Sequence, residues 1–297
     1  MSKQSDICMT PEWREKLLGI FRFFVKICNE NNLRFFCTGG TAIGAVRHKG
    51  LIPWDDDIDV MMPRPDYERL LQLCQTMDMG NYELMTPETT KEYYCDYAKI
   101  CDGTTTLLEQ DSLRCVIGIN LDIFPLDGSP ENVEEAKKRF NKYQKLRRYF
   151  LLTNTHQPFS HFLLNIKKGK IKHAMLLAFL YSTRTWSREK LLKKLYDIAT
   201  KYEYGKGKCV IEYGGYYGDK NVMPVEWFEN SISMPFDGIE VSCIGEVDAY
   251  LRHFFGDYMQ LPPVEARKPH HAVAYVNIEK KESIETVFEK LKNGRNS

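Results

Sequence analysis

Residues 51–59 read LIPWDDDID, four carboxylates in five positions: Asp55, Asp56, Asp57 and Asp59. Leu51, Ile52 and Trp54 lead into the run, and Ile58, Val60, Met61 and Met62 lead out of it. Acid runs on a solvated surface have polar flanks, so this one is predicted to sit half buried. Carboxylates held out of water repel one another, and a divalent cation is the commonest way to hold several together. The fold must therefore bring this run to the edge of a core and give it a counter-charge.

The chain has room for that. Its 297 residues allow one large domain or two small ones, and 43% hydrophobic with 27% charged residues is a globular composition. With 41 basic and 40 acidic residues the net charge is +1, so no global field draws nucleic acid and none is expected as a partner. Nine cysteines without a C-x-x-C pair read as reduced, buried thiols rather than a zinc site or a disulfide framework. MSKQSDICMT has no apolar h-region and the longest hydrophobic stretch, AMLLAFLY, has eight residues. Neither a secretion signal nor a membrane span is expected, which points to a cytoplasmic protein.

Local signals order the elements. Thr10 and Pro11 start a helix that carries Trp13, Leu17, Phe21, Phe24 and Cys28 on one face and breaks near NENN. LRFFCTGG reads as a strand entering a glycine turn, TAIGAVRH as a short helix stopped by Gly50, DIDVMM as a strand stopped by Pro63, and DYERLLQLCQTM as a helix. Strand-like runs fill 82–124, long basic helices fill 131–202, and Asp237-Gly238 marks a hairpin. A closing helix runs from about 246 to Phe255 with Gly256 as its stop. Without a regular βαβ rhythm, the expected class is α+β.

One metal reading fails on spacing. Asp55, Asp57 and Asp59 match the first ligands of an EF-hand loop, but Val60 stands where glycine is needed and Asp66 where glutamate is needed. A second reading joins three pieces. Gly39-Gly40 before a helix offers bare backbone N–H groups to a phosphate. Asp57 and Asp59, two apart on a strand, would share a face, as a pair of divalent ions requires. Asp122 stands alone among Ile119, Leu121, Ile123 and Phe124 and needs a partner, either the metal site or a lysine.

Gly-Gly, then Asp-Ile-Asp, then a distant strand aspartate is the layout of the nucleotidyltransferase fold. The stretch GGTAIGAVRHKGLIPWDDDIDVMMPRPDYERL, with LDIFPLDG and the late FFGDYMQLPP, resembles the LicD family of phosphotransferases, relatives of fukutin and fukutin-related protein. The resemblance covers roughly residues 20–270. It implies a nucleotidyltransferase-like mixed sheet flanked by helices: a core over 1–130, a basic helical insertion over 131–204, and a C-terminal part over 205–297. It also implies a CDP-linked donor such as CDP-choline, whose phosphocholine passes to a hydroxyl of a glycan or of its polyprenyl-linked precursor. Asp57, Asp59 and Asp122 would be catalytic, with Asp55 joining them as ligands to Mg2+ or Mn2+. Gly39, Gly40, Thr41, Arg47, His48 and Lys99 would bind substrate. Arg47 and His48 can equally be a basic helix end, and Lys99 can equally pair with an aspartate. His270 and His271 follow Pro269 in a loop and read as surface.

Two rivals use the same residues: a nucleotidyltransferase that releases pyrophosphate from a triphosphate, and a glycan- or lipid-binding module without turnover. The basic middle, KKRFNKYQKLRR at 137–148 and KKGKIKH at 167–173, is either a solvated helix face or a peripheral contact with an anionic membrane. Phe140, Tyr143, Tyr149 and Phe150 would then touch that surface or pack inward.

Overall fold

Thr10 accepts a hydrogen bond from the Trp13 backbone N–H at 3.2 Å, and Pro11 occupies the first turn of helix α1 (Pro11–Glu30). The computed structural model describes residues 10–155, 159–182, 184–269, 271 and 273–295. Cys8 and His270 lie outside the described residues. After α1 come β1 (Phe36–Cys37), α2 (Gly39–Ile43) with a π-helical turn to His48, β2 (Asp59–Pro63), α3 (Arg64–Thr76), β3 (Tyr82–Met85), β4 (Ala98–Asp102), β5 (Thr106–Leu108) and β6 (Asn120–Gly128). Four helices come next, α4 (Val133–Asn154), α5 (Phe159–Lys167), α6 (Ile171–Ser182) and α7 (Arg184–Ala199). The chain then forms β7 (Cys209–Ile211), β8 (Val222–Pro224), β9 (Ser231–Phe236), β10 (Ile239–Ile244), α8 (Val247–Phe255), β11 (Tyr275–Asn277) and α9 (Ile284–Arg295).

The main sheet runs β3-β4-β6-β2-β1-β10-β9, with β7 on β6 and β8 on β7, while β5 and β11 pair separately. The pairs β2–β6 and β1–β10 are parallel and the others antiparallel, so the class is α+β with a mixed sheet. Alternation decides what each face carries. Phe35 points to α1, where its ring lies 5.0 Å from Phe24. Phe36, on the opposite face, meets Phe228, which meets Tyr250 of α8. One face is therefore sealed by α1 and the other is capped at one end by α8. Trp13, Phe21 and Phe24 are buried in the main core, each contributing roughly 2–3 kcal/mol by area. A second apolar cluster joins α4 and α7 to β7 and β8 through Phe140, Phe150, Leu195 and Ile211.

The β9–β10 hairpin turns on Asp237 (φ +46°) and Gly238 (φ +84°), both in the left-handed region that a two-residue type I′ turn needs. Asp237 also fixes the approach to the acid run. Its carboxylate accepts from Arg14 at 2.7 and 2.9 Å and from the Leu51 backbone N–H at 2.7 Å. The eight described cysteines are buried free thiols; Cys37 and Cys243 are partners across β1 and β10.

Two expectations need correction. The strand after the acid run begins at Asp59, so Asp57 precedes it and does not share a regular strand face with Asp59. Pro53 and the charge crowding behind it keep 55–58 out of the ladder, apart from one bond from the Asp122 N–H to the Ile58 carbonyl at 2.9 Å. The helix ending at Gly256 (φ +65°) does not close the fold, because β11 and α9 come after it.

Candidate active site

Asp59 and Asp122 are direct partners across the parallel β2–β6 pair, and Lys99 is the partner of Asp122 across β4. Paired residues point to one face, so Lys99, Asp122 and Asp59 form a row across the face that α8 caps. Lys99 is buried and its Nζ donates to Asp122 Oδ1 at 2.7 Å, to Asn120 Oδ1 at 3.0 Å and to Glu109 Oε1 at 3.3 Å. Burial works against the charged amine, yet Asp122 and Glu109 hold its pKa well above the usual lysine value. Tyr97 donates to the other Asp122 oxygen at 3.0 Å.

The glycines give the aspartates room. Gly39 is left-handed (φ +53°), and a Cβ there would lie 3.5 Å from Asp59 Oδ2. At Gly40 a Cβ would stand 2.2 Å from Asp55 Oδ2, so no side chain fits without displacing that carboxylate. The Asp59 backbone N–H donates to Thr41 Oγ1 at 2.9 Å, and the Thr38 N–H donates to the Asp59 carbonyl at 3.1 Å. Thr38 in turn shares a hydrogen bond with the buried Tyr250 hydroxyl. The Gly-Gly turn is thereby locked against the start of β2.

Asp56 and His271 complete the cluster. The Asp56 carbonyl accepts from Trp13 Nε1 at 3.1 Å, while its buried carboxylate accepts from the His271 backbone N–H and from Nδ1, each at 3.2 Å. His271 Nδ1 is also 3.8 Å from Asp57 Oδ2. The hydrogen bond to Asp56 raises the His271 pKa to about 10, against the opposing effect of burial. Nδ1 is thus the donor of a charged pair; His271 is at the surface as expected, its side chain 54% exposed, and it reaches the acid run from there. Asp56, Asp57 and His271 each offer a ligand atom within 4.8 Å of the others. A cavity of about 40 Å³ lies between Asp57, Lys99, Glu109, Asp122 and His271, space for an ion with a water or two.

The electrostatics fit a cation. Burial first, then the neighbouring Asp57 and Asp56, push the Asp55 carboxyl well above the usual range. Burial first, then Asp57, Asp122 and Asp55, do the same to Asp59. Asp57 is also raised, chiefly by burial, with His271 opposing. Asp55 and Asp57 come within hydrogen-bonding reach of each other, an approach that needs a shared proton or a shared cation. Among the described residues, ligand atoms close enough to share one metal ion are those of Asp56, Asp57 and His271, not of Asp55, Asp59 and Asp122 as a set.

Other residues expected at the site are held elsewhere. Arg47 donates to the carbonyls of Tyr258 and Gln260, and its Nε approaches His48 Nδ1 at 3.3 Å. Burial, then the nearby Arg267, lowers the Arg47 pKa. His48 packs edge-on to Trp54, and Arg267 lies 5.3 Å above the same indole. On the other side of Asp122, Tyr97 packs on Phe124 at 4.4 Å, and Glu212 lies near that ring across Gly214. Glu212 Oε1 is buried without a hydrogen-bond partner, and burial, opposed by Arg147, raises this carboxyl to about 8.

Asp56, Glu109, His271, Tyr97 and Glu212 are the site residues that sequence reasoning missed. Only Asp56 had a local signal, the acid run itself. A family described as "LicD/FKTN/FKRP, nucleotidyltransferase domain" matches residues 32–166, which hold the Gly-Gly turn, the acid run and Asp122. The chain is 31% identical over 262 residues, 86% of its length and 92% of the relative's, to the lipopolysaccharide cholinephosphotransferase LicD of Haemophilus influenzae. Shorter matches reach uncharacterized proteins of Rickettsia prowazekii (35% over 57 residues, 19% of this chain and 21% of that one) and Rickettsia typhi (32% over 59 residues, 20% and 19%). Because the first of these relatives is matched along almost its whole length at 31% identity, the chain belongs to the LicD family.

Proposed function

We propose that this chain transfers phosphocholine from CDP-choline to a hydroxyl of a cell-surface glycan or of its lipid-linked precursor. The observation that carries the reading is the row Lys99–Asp122–Asp59 with Asp55 and Asp57 crowded beside it. Family membership and the cholinephosphotransferase relative supply the chemical class.

Asp55, Asp57, Asp59 and Asp122 would hold Mg2+ or Mn2+, with Asp56 and His271 at its edge. A bound divalent ion supplies charge neutralisation at the pyrophosphate oxygens. The chain's own residues do the rest. Gly40 would offer its backbone N–H to a phosphate, the Gly39 N–H being directed at the Tyr250 hydroxyl at 3.4 Å, and Thr41 braces the strand that carries Asp59. Lys99 and Tyr97 occupy both oxygens of Asp122, which makes it a positioned charge rather than the proton acceptor. Asp57, raised above the usual carboxylate range and partly open to solvent, takes the proton of the acceptor hydroxyl. Arg47 and His48, held by the Tyr258 and Gln260 carbonyls and by Trp54, take no part in this row.

The choline head group would face the wall of Tyr97, Phe124 and Glu212. A quaternary ammonium binds through aromatic faces and ionises an otherwise neutral carboxyl. The test incubates the protein and Mg2+ or Mn2+ with CDP-choline, CDP-ribitol, CDP-glycerol and nucleoside triphosphates. CMP released from CDP-choline is expected. Pyrophosphate released from a triphosphate would assign the chain to nucleotidyl transfer instead, and no release from any donor would make it a binding module.

A further inference from the structure

Helices α5 and α6 form a hairpin whose outer side is apolar. Leu163, Leu164, Ile166, Ile171, Met175 and Phe179 are exposed, from 42% for Ile166 to 66% for Met175. These six are nearly half of the thirteen large apolar side chains exposed among the described residues, and all fall within 163–179. On α6, Ile171, Met175 and Phe179 stand at four-residue spacing and share one face, while Ala174 is buried toward the body of the protein. α5 packs on α6, and α6 reaches α4 and α7. Apolar exposure concentrated in one hairpin in this way marks a surface that something covers.

The charge around it names the occupant. Between Ala136 and Arg188 the chain has 13 of its 41 Lys and Arg and none of its 40 Asp and Glu. In a chain of net charge +1, this makes one segment strongly positive and leaves the remainder negative. Lys167, Lys168, Lys170 and Lys172 sit at the hairpin turn itself and are exposed. The aromatic residues of α4 do not compete for this role, because Phe140, Tyr143 and Phe150 are buried in the second cluster. A second copy of the chain would bring the same lysines against these, whereas an anionic bilayer offers both an apolar interior and phosphates.

We propose that the α5–α6 hairpin docks the protein on an anionic lipid bilayer, with its exposed Leu, Ile, Met and Phe side chains entering the boundary between headgroups and acyl chains. The lysines of the turn meet lipid phosphates at the same level. With 12 residues, α6 is about 18 Å long and cannot span a hydrocarbon core of about 30 Å, so the hairpin lies in the interface. Such docking serves any reaction of the site with a lipid-anchored acceptor, whatever group is transferred.

The test is flotation of the full chain with vesicles of phosphatidylcholine, alone or mixed with phosphatidylglycerol. The probes are the wild type, the triple variant Ile171→Ser, Met175→Ser, Phe179→Ser, and the charge variant Lys167→Glu, Lys168→Glu, Lys170→Glu, Lys172→Glu. All seven side chains are exposed, so the variants are expected to keep the wild-type circular dichroism and melting temperature. Wild type is expected to float with the mixed vesicles and not with phosphatidylcholine alone, and each variant to lose at least about tenfold in partitioning. Wild type that stays behind with mixed vesicles overturns the proposal, as does either variant floating as well as wild type. Wild type that dimerises on gel filtration while the triple variant does not would assign the face to a second copy.

Discussion

Asp59 on β2 and Asp122 on β6 stand opposite each other across a parallel strand pair, in a row that ends on the buried amine of Lys99. That row places two carboxylates side by side with one cation, and Asp55 and Asp57 add charge that Lys99 does not balance. The surplus negative charge calls for a further cation.

Replacing Asp57 or Asp59 by Asn keeps shape and removes one charge. Loss of about 3 kcal/mol of transition-state stabilisation costs on the order of 100-fold in rate, so phosphocholine transfer is expected to fall at least that far. Both carboxyls have raised pKa values in the fold, so their ionisation at neutral pH opposes folding. The variants are therefore expected to melt no lower than wild type without metal, and to lack the rise in melting temperature expected of wild type with Mn2+. A variant that melts well below wild type while keeping its turnover would mark that aspartate as structural.

Lys99→Met leaves Asp122 and Glu109 without their shared cation in a buried place. Breaking such a pair from one side costs about 3 kcal/mol or more. Urea denaturation is expected to show that loss, together with a fall in turnover. Unchanged stability would mean that the Lys99–Asp122 contact at 2.7 Å contributes nothing.

Gly40→Ala separates site from fold. Gly40 does not need a left-handed backbone, so the only obstacle is the Asp55 carboxylate at 2.2 Å from the new methyl. The carboxylate can swing away, so the melting temperature is expected to hold within a few degrees while turnover drops at least about tenfold. Normal turnover would show that Asp55 is dispensable.

Glu212 gives a pH signature away from the acid run. Burial raises its carboxyl to about 8, so between roughly pH 4.5 and 8 the folded chain binds a proton that the unfolded chain has lost. Stability from this group is lost as pH rises through that window. Glu212→Gln should melt like wild type near pH 4.5 and increasingly above it toward pH 8. With CDP-choline its KM should rise about tenfold with kcat little changed, as expected for a lost ground-state contact to a cation. A parallel melting profile and an unchanged KM would remove Glu212 from the donor site.

Much of the fold was readable in the chain because the signals are local. Thr10-Pro11 and the apolar face behind them specify α1, and Asp237-Gly238 specifies the β9–β10 turn, since both depend on neighbours a few positions away. The acid run was legible because charge among Leu51, Ile52 and Trp54 conflicts with ordinary surface patterning. The rest depends on long-range closure. His271 reaches Asp56 across 215 positions, and no spacing rule links them. The strand was expected to start at Asp57, which left Asp56 just outside it and without a role, whereas pairing begins only at Asp59. Likewise Glu109 acquires its role only when Lys99 points toward it from β4. Nothing near residue 212 in the sequence announces that its carboxylate will end beside Phe124.

The most direct measurement is Mn2+ binding, monitored by electron paramagnetic resonance of free Mn2+, to wild type and Asp59→Asn with and without CDP-choline. Wild type should bind Mn2+ and bind it more tightly with CDP-choline present, while Asp59→Asn should lose both effects. Wild type that leaves Mn2+ free in the presence of CDP-choline, or Asp59→Asn that binds it as well as wild type, would contradict a metal-dependent site on Asp55, Asp57, Asp59 and Asp122.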